Sequence, residues 1–224
     1  MIVNRKEQNI LKDRVAQSAL RYVKKDMIVG IGTGSTTNYF INHLETMKCD
    51  IKGVISSSEK TTKLLKSKGF NILELNDIEQ IDIYIDGADK INFNKEAIKG
   101  KGGALTREKI CATNSKSFIC IVDESKLVED LSRFSIPIEV IPMALKFVSR
   151  QCEKLGWIAK YRKNFITDNT NCIIDLHNIN MTNLELTSKK ICNILGIVCS
   201  GIFIGKSSPT TLLVAKRNGR VISF

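Results

Sequence analysis

Apolar residues near the start of the chain recur every three to four positions. Leu11, Val15 and Ala19 form one row, with Ala16, Leu20 and Val23 beside it. That spacing predicts a helix with one face against a core. A short unbroken apolar run over 27–31 follows and ends in Gly32-Thr33-Gly34-Ser35-Thr36. Helical spacing returns over 38–47. A second apolar run, 51–55, ends in Ser56-Ser57-Ser58, and a third helical stretch, 59–67, stops at Gly69, a natural C-terminal cap. Further short runs lie at 71–73, 83–85 and 118–122. Each predicted strand is short, apolar and followed by polar or glycine-rich residues. Strands of this kind alternating with helices predict an α/β fold with a mostly parallel sheet covered on both faces. Ligands of such sheets bind beyond the carboxyl ends of the strands, which directs attention to loops 32–36, 56–58, 86–89 and 99–103.

The pattern changes near residue 133. Strands are predicted over 136–140, 172–176 and 197–204, with helices over 143–155 and 182–195. This β-α-β-α-β order with long connections suits a small ferredoxin-like α+β domain. The final strands, 211–215 and 221–224, flank an Asn218-Gly219 hairpin signal. The expected division is a sheet domain from 1–132 with 208–224, and a small domain from 133–207.

Composition narrows the function. With 224 residues, 43% hydrophobic and 25% charged, the chain is ordinary globular protein, long enough to bury its own core. The net charge of +11 comes from lysines spread along the chain. No arginine-rich arm or basic run with interleaved aromatics accompanies it, so nucleic acid is not the expected partner. A lysine-rich composition, or a general attraction for anionic small molecules, accounts for the charge. The seven cysteines include no CxxC pair, and most sit among apolar neighbours, as expected of free thiols in a reducing, cytoplasmic setting. His43 and His177 are far apart and no Cys/His spacing resembles a zinc site. No apolar stretch is long enough to span a bilayer, and the amphipathic, acid-containing N-terminus does not read as a signal peptide.

Three loops could carry chemistry. The segment 30–36, Gly-Ile-Gly-Thr-Gly-Ser-Thr, joins a strand to a helix. It reads either as a plain helix cap or as a phosphate cradle, in which glycines admit the ligand and N–H groups at the helix start face the anion. Serine at 35 and the absence of an acid after the second strand argue against a dinucleotide site, and no GK[S/T] follows to make a P-loop. Asp86-Gly87-Ala88-Asp89 either caps its strand as an Asx turn or brings two carboxylates into one cleft, one as acid or base and the other orienting it. The stretch 99–109, Lys-Gly-Lys-Gly-Gly-Ala-Leu-Thr-Arg-Glu-Lys, permits a tight backbone with inward N–H groups. Thr106 is placed to cap a helix running to about Asn114. Glu108 then falls in the first turn, either as an acid favoured by the helix dipole or as a catalytic group.

Together these loops, with Ser56-Ser57-Ser58, Val122 through Lys126 and Pro137-Ile138-Glu139-Val140-Ile141-Pro142, resemble ribose-5-phosphate isomerases of the A type. The motifs run in the family's order and span nearly the whole chain. The resemblance implies a Rossmann-like catalytic domain, a smaller α/β domain, usually a homodimer, and no metal, nucleotide or other cofactor. It implies interconversion of D-ribose 5-phosphate and D-ribulose 5-phosphate through an enediolate, in the non-oxidative branch of the pentose phosphate pathway. Glu108 falls on the family's catalytic base, and Asp86, Asp89 and Lys99 on polar active-site groups. Asp86 is expected to assist ring opening or shuttle a hydroxyl proton, and Lys99 to stabilise the developing oxyanion. Thr33, Gly34, Ser35, Thr36, Gly87, Ala88, Gly100, Lys101, Gly102 and Lys126 fall on substrate-binding positions. Lys12 matches a phosphate-facing lysine of some members. Lys101 departs from the glycine found in many bacterial members.

Two rival functions suit related scaffolds. A non-catalytic sugar-phosphate sensor of a regulator would carry an N-terminal helix-turn-helix, but here one helix leads straight to a strand at Met27. A CoA-transferase-like enzyme would use a glutamate as nucleophile, leaving a covalent adduct on Glu108.

Overall fold

A computed structural model describes residues 5–224. The first four positions, which the sequence reading places in the sheet domain and in an N-terminus that is no signal peptide, lie outside the described residues. In chain order the elements are α1 (Arg5–Ala19), β1 (Ile28–Ile31), α2 (Ser35–Leu44), β2 (Gly53–Ser56), α3 (Glu59–Ser67), β3 (Ile83–Asp86), β4 (Lys90–Ile91) and β5 (Ala97–Ile98). Then come α4 (Leu105–Thr113), β6 (Phe118–Asp123), β7 (Ile136–Val140), α5 (Leu145–Lys154), β8 (Ile158–Tyr161) and β9 (Cys172–His177). The last are α6 (Leu184–Cys192), β10 (Ile197–Ser200), β11 (Ile202–Phe203), β12 (Thr211–Ala215) and β13 (Val221–Ser223).

The fold is mixed α/β around a largely parallel sheet. Its strands run β13-β12-β6-β3-β1-β2, and only the β12–β13 pair is antiparallel. Apolar runs form these strands because both faces are buried, yet the period of two still sorts the side chains. Ile83, Ile85, Ile119, Ile121, Leu213 and Ala215 share one core with Leu11, Val15 and Ala19 of α1 and with Phe40 and Ile41 of α2. Tyr84, Phe118, Cys120, Val122, Leu212 and Val214 face the other way, toward Cys111 and Ala112 of α4. The alternation puts Asp86 on the same side as Tyr84, beneath α4.

Residues 136–200 form a separate four-stranded antiparallel sheet, ordered β10-β7-β9-β8, with its own core. Its elements follow β-α-β-β-α-β, the split arrangement of ferredoxin-like units. The sequence reading missed β8. That edge strand is largely exposed and leaves Ile158 and Tyr161 half in solvent, so no buried face marks it. The expected 197–204 strand is broken at Gly201. There β10 leaves its partner β7 and β11 crosses to pair with β5. A Cβ on Gly201 would stand 2.2 Å from the Lys99 carbonyl oxygen, so only glycine allows the approach. Gly201 in turn donates its N–H to Pro137 at 2.7 Å and accepts from the Lys99 N–H at 2.9 Å. This seam fixes the start of the 99–103 loop against the small sheet.

Candidate active site

The loops after β1, β3 and β5 close, with α1 and α4, around a cavity of ≈ 130 Å³. Its lining contains Lys12, Thr33, Gly34, Ser35, Thr36, Thr37, Gly87, Ala88, Asp89, Lys99, Gly100, Gly102, Glu108 and Lys126. Of the site residues expected from sequence, only Asp86 and Lys101 do not line it. Asp86 lies directly behind Lys99, and the Lys101 side chain lines a neighbouring cleft.

One end of the cavity carries groups that could hold an anion. Gly34 is the N-cap of α2 and contributes no side-chain cap. The first helical bond is Asn38 N–H to the Gly34 carbonyl, which leaves the N–H groups of 35–37 at the open helix end. Lys12, from α1 packed beside α2, adds a cation. Thr33 contributes less than expected. Its hydroxyl bonds Ser58 at 2.7 Å and Ser57 at 3.1 Å, tying the serine loop to β1, and its N–H bonds Asp86. Thr37 was not singled out from the sequence, yet its hydroxyl is buried and has no hydrogen-bond partner among the described residues. Its signal was position: it is the third residue of a helix whose first turn faces the cavity.

The other end holds three buried charges. The Asp86 carboxylate is fully buried and accepts four bonds, from Tyr84 Oη (2.6 Å), Lys99 Nζ (2.8 Å), Gly87 N–H (2.7 Å) and Thr33 N–H (3.2 Å). A Cβ on Gly32 would stand 1.8 Å from the Asp86 carboxyl carbon, so this loop accommodates the carboxylate only with glycine there. Lys99 also donates to the Gly87 carbonyl at 2.6 Å and stands 3.5 Å from Glu108 Oε2. Burial pushes the Lys99 ammonium toward neutrality, but Asp86 and Glu108 together outweigh it and hold its pKa above the usual lysine range.

One ammonium cannot neutralise two carboxylates. Asp86 takes the bonded position, and Glu108 is left with Oε2 buried and without a hydrogen-bond partner among the described residues. Its pKa is accordingly raised to about 8. Burial is the largest cause and the charges of Asp86 and Asp89 add to it, against the opposing pull of Lys99. The arrangement gives a carboxyl group that gains and loses a proton near neutrality, beside a fixed cation, in a pocket with an anion cradle at its far end. Asp89 lines the cavity and accepts the Lys101 N–H at 2.7 Å.

α4 reaches this position through the small sheet. Thr106 does not cap the helix. Ala104 is the N-cap, and the Thr106 hydroxyl instead donates to Oε2 of Glu139, a fully buried carboxylate on β7. Glu139 Oε1 accepts from Thr167 Oγ1 (2.8 Å), Asn171 Nδ2 (2.9 Å) and Asn169 Nδ2 (3.1 Å). Arg107 bonds Asn169, the Asp168 carbonyl and Glu59, each within 2.9 Å. Lys109 holds the Ser200 and Ile202 carbonyls at 2.5 and 2.7 Å. The residues flanking Glu108 are therefore tied to residues 167–171 and to the β10–β11 seam.

The model of the ribose 5-phosphate isomerase A family (phosphoriboisomerase A) matches residues 53–219. The structure is similar to ribose 5-phosphate isomerase A from Neisseria gonorrhoeae, at 36% identity and a TM-score of 0.92 over 96% of each chain. It is similar to the same enzyme from Methanocaldococcus jannaschii, at 36% identity and 0.89 over 96% of this chain and 97% of that one. A D-ribose-5-phosphate isomerase in complex with phospho-erythronic acid matches at 33% identity and 0.90 over 99% of both chains. Neither the sensor nor the CoA-transferase reading is favoured by these matches.

Proposed function

The chain belongs to the ribose 5-phosphate isomerase A family and interconverts D-ribose 5-phosphate and D-ribulose 5-phosphate, and from that premise we propose that Glu108 is the base that carries the proton between carbons 2 and 1. The observation behind this assignment is the buried Oε2 of Glu108, which faces Lys99 but is bonded to nothing among the described residues. With a pKa near the working pH, the same carboxylate can take a proton and return it.

The sugar phosphate enters with its phosphate on the N-terminal turn of α2, against Ser35, Thr36, Thr37 and Lys12. In the open-chain aldose, Glu108 removes the proton from carbon 2. The C2–H electrons form the C1=C2 bond, and the carbonyl electrons move onto oxygen 1. Lys99 and the N–H groups of the 100–102 loop stabilise that oxyanion. Glu108 then returns the proton to carbon 1, and the proton leaving oxygen 2 passes through a neighbouring acceptor to oxygen 1, so that the ketone forms and both carboxylates are restored. Asp89, inside the cavity, is assigned to that hydroxyl proton and to ring opening. Asp86, whose carboxylate is already filled by four donors, is assigned to positioning Lys99. Gly87, Ala88 and Lys126 complete the wall around the sugar.

Both parts are required. A positioned base supplies roughly 10²–10⁴-fold, and one oxyanion donor about 2.7–4 kcal/mol. Neither alone reaches the roughly 10⁶-fold expected of an enzyme. Glu108→Gln keeps the shape of the site and removes the base. It should bind sugar phosphate and fail to turn it over; near-normal turnover would refute the assignment.

The proposal extends to a homodimer in the cytoplasm and to the two-domain division at 132/133 and 207/208. Ile141, Met143 and Leu195 are exposed and drawn together by the bond from Ile141 N–H to the Gly196 carbonyl, which offers an apolar patch for a second copy. All seven cysteines are free, and among the described residues no helix is long and apolar enough to cross a membrane. Sedimentation velocity would report a monomer if the dimer reading is wrong.

A further inference from the structure

Arg162, immediately after β8, touches the glycine loop from the adjoining cleft, which shares Asp89 and Lys126 with the sugar cavity. Its guanidinium is held in a double bridge to Asp175 of β9, with Nε to Oδ2 and Nη2 to Oδ1 both at 2.6 Å. The remaining nitrogen, Nη1, donates to the carbonyl oxygens of Gly100 (3.0 Å) and Lys101 (2.9 Å). Arg162 does not line the sugar cavity; it lines the neighbouring cleft.

Fixing two successive carbonyls also fixes the N–H groups that follow them. No peptide bond among the described residues is cis, so each N–H points opposite to the carbonyl of its own peptide unit. The Lys101 N–H obeys this and meets Asp89 Oδ2 at 2.7 Å on the far side of the loop. The Gly102 N–H must likewise point away from Arg162. It has no hydrogen-bond partner among the described residues, and Gly102 lines the cavity with Lys99 and Glu108. A loop this rich in glycine has little intrinsic preference for one peptide orientation. An external anchor therefore selects it.

We infer that Arg162 is a positioning residue for the isomerisation: clamped by Asp175, it holds the Gly100 and Lys101 carbonyls so that the Gly102 N–H faces the oxyanion formed beside Lys99. This rests on the reading that Glu108 generates an enediolate in this cavity. The planar fork is what the role needs, because an ammonium cannot bridge a carboxylate in two places and still hold two carbonyls.

The test compares Arg162→Ala, Arg162→Lys and Asp175→Asn with the parent enzyme. The readouts are kcat, KM and the affinities for 4-phosphoerythronate and erythritol 4-phosphate. These ligands differ only in carrying a carboxylate or a hydroxymethyl group, so the first alone places negative charge where the enediolate oxygens develop. Arg162→Ala should lower kcat by about 10²-fold, the scale of losing one oriented oxyanion donor, with KM little changed. Its affinity for phosphoerythronate should fall while that for erythritol phosphate holds. Arg162→Lys should follow Arg162→Ala, and Asp175→Asn should shift the same quantities less. If Arg162→Ala does not fold, Arg162→Lys and Asp175→Asn carry the same comparison. Unchanged kcat, or equal weakening of both ligands as from a merely structural role, would overturn the inference. Glu108→Gln is assayed in parallel; near-normal turnover by that variant would remove the base assignment and leave the Arg162 result to stand by itself.

Discussion

Two buried carboxylates adjoin the first turn of α4, and they are treated in opposite ways. Glu139, on β7, is fully buried and accepts bonds from Thr106, Thr167, Asn169 and Asn171, all neutral donors. Glu108, only 5% exposed, has an oxygen with no hydrogen-bond partner among the described residues and shares a single lysine with Asp86. Burying an ionised group is costly unless every lone pair finds a donor. Around Glu139 that cost is met and the carboxylate becomes a structural pin. Around Glu108 it is left open, and the imbalance appears as a pKa raised to about 8. The comparison separates a carboxylate that holds the fold from the one to which the chemistry is assigned, although both are buried glutamates.

Removing each group should expose the difference. Glu108→Gln should reduce kcat by about 10²–10⁴-fold, the range of a positioned base, as read in a coupled isomerase assay. Glu139→Ala leaves four donors without an acceptor at roughly 1–3 kcal/mol for each unsatisfied group. Since such losses are not additive, denaturant unfolding should show a loss of about 3 kcal/mol or more. Glu139→Gln, which keeps an acceptor oxygen, should lose far less.

The effects on stability should have opposite signs. The folded-state pKa of Glu108 is raised above its unfolded value of 4.5, so the folded state binds the proton more tightly. Its contribution to stability is fully present below pH 4.5 and is lost as the pH rises through the folded value of about 8. Glu108→Gln has no such loss. It should match the parent in acid and exceed it by up to about 5 kcal/mol once the pH is well above 8, at roughly 1.4 kcal/mol for each unit between 4.5 and about 8. A constant difference across that window would mean that Glu108 is not the titrating group. The smallest effect is expected at the anion end. Thr37→Val removes one unpaired hydroxyl and should raise KM about tenfold, matching a charge-assisted bond of about 1.5 kcal/mol, with kcat unchanged.

The site was more legible than the scaffold that holds it. Loops 32–36, 86–89 and 99–108 could be read because glycine and polar residues follow short apolar strands, and the ends of parallel strands are where ligands bind. The same logic did not reveal that Asp86 is filled by four donors, since two of them, Thr33 and Lys99, come from loops 53 and 13 residues away in sequence. Thr106 looked like a cap because capping is the local use of threonine; a carboxylate 33 residues later takes its hydroxyl instead. Glu139 itself stands inside the apolar run Ile136–Val140, and nothing nearby in sequence marks its partners at 167–171. Arg162 follows an exposed edge strand that the apolar pattern does not show. What sequence pattern conceals here is side-chain pairing over long separations, and in this molecule such pairing ties the 99–108 segment to the small sheet.

The pH dependence of kcat/KM, measured for the parent and for Glu108→Gln, tests the central claim most directly. Log kcat/KM should climb with pH through neutrality, bend near pH 8, where half of Glu108 is ionised in the free enzyme, and level off above that. The climb should be absent from whatever residual activity Glu108→Gln retains. A parent profile that is flat through neutrality, or a climb that survives in the glutamine variant, would contradict it.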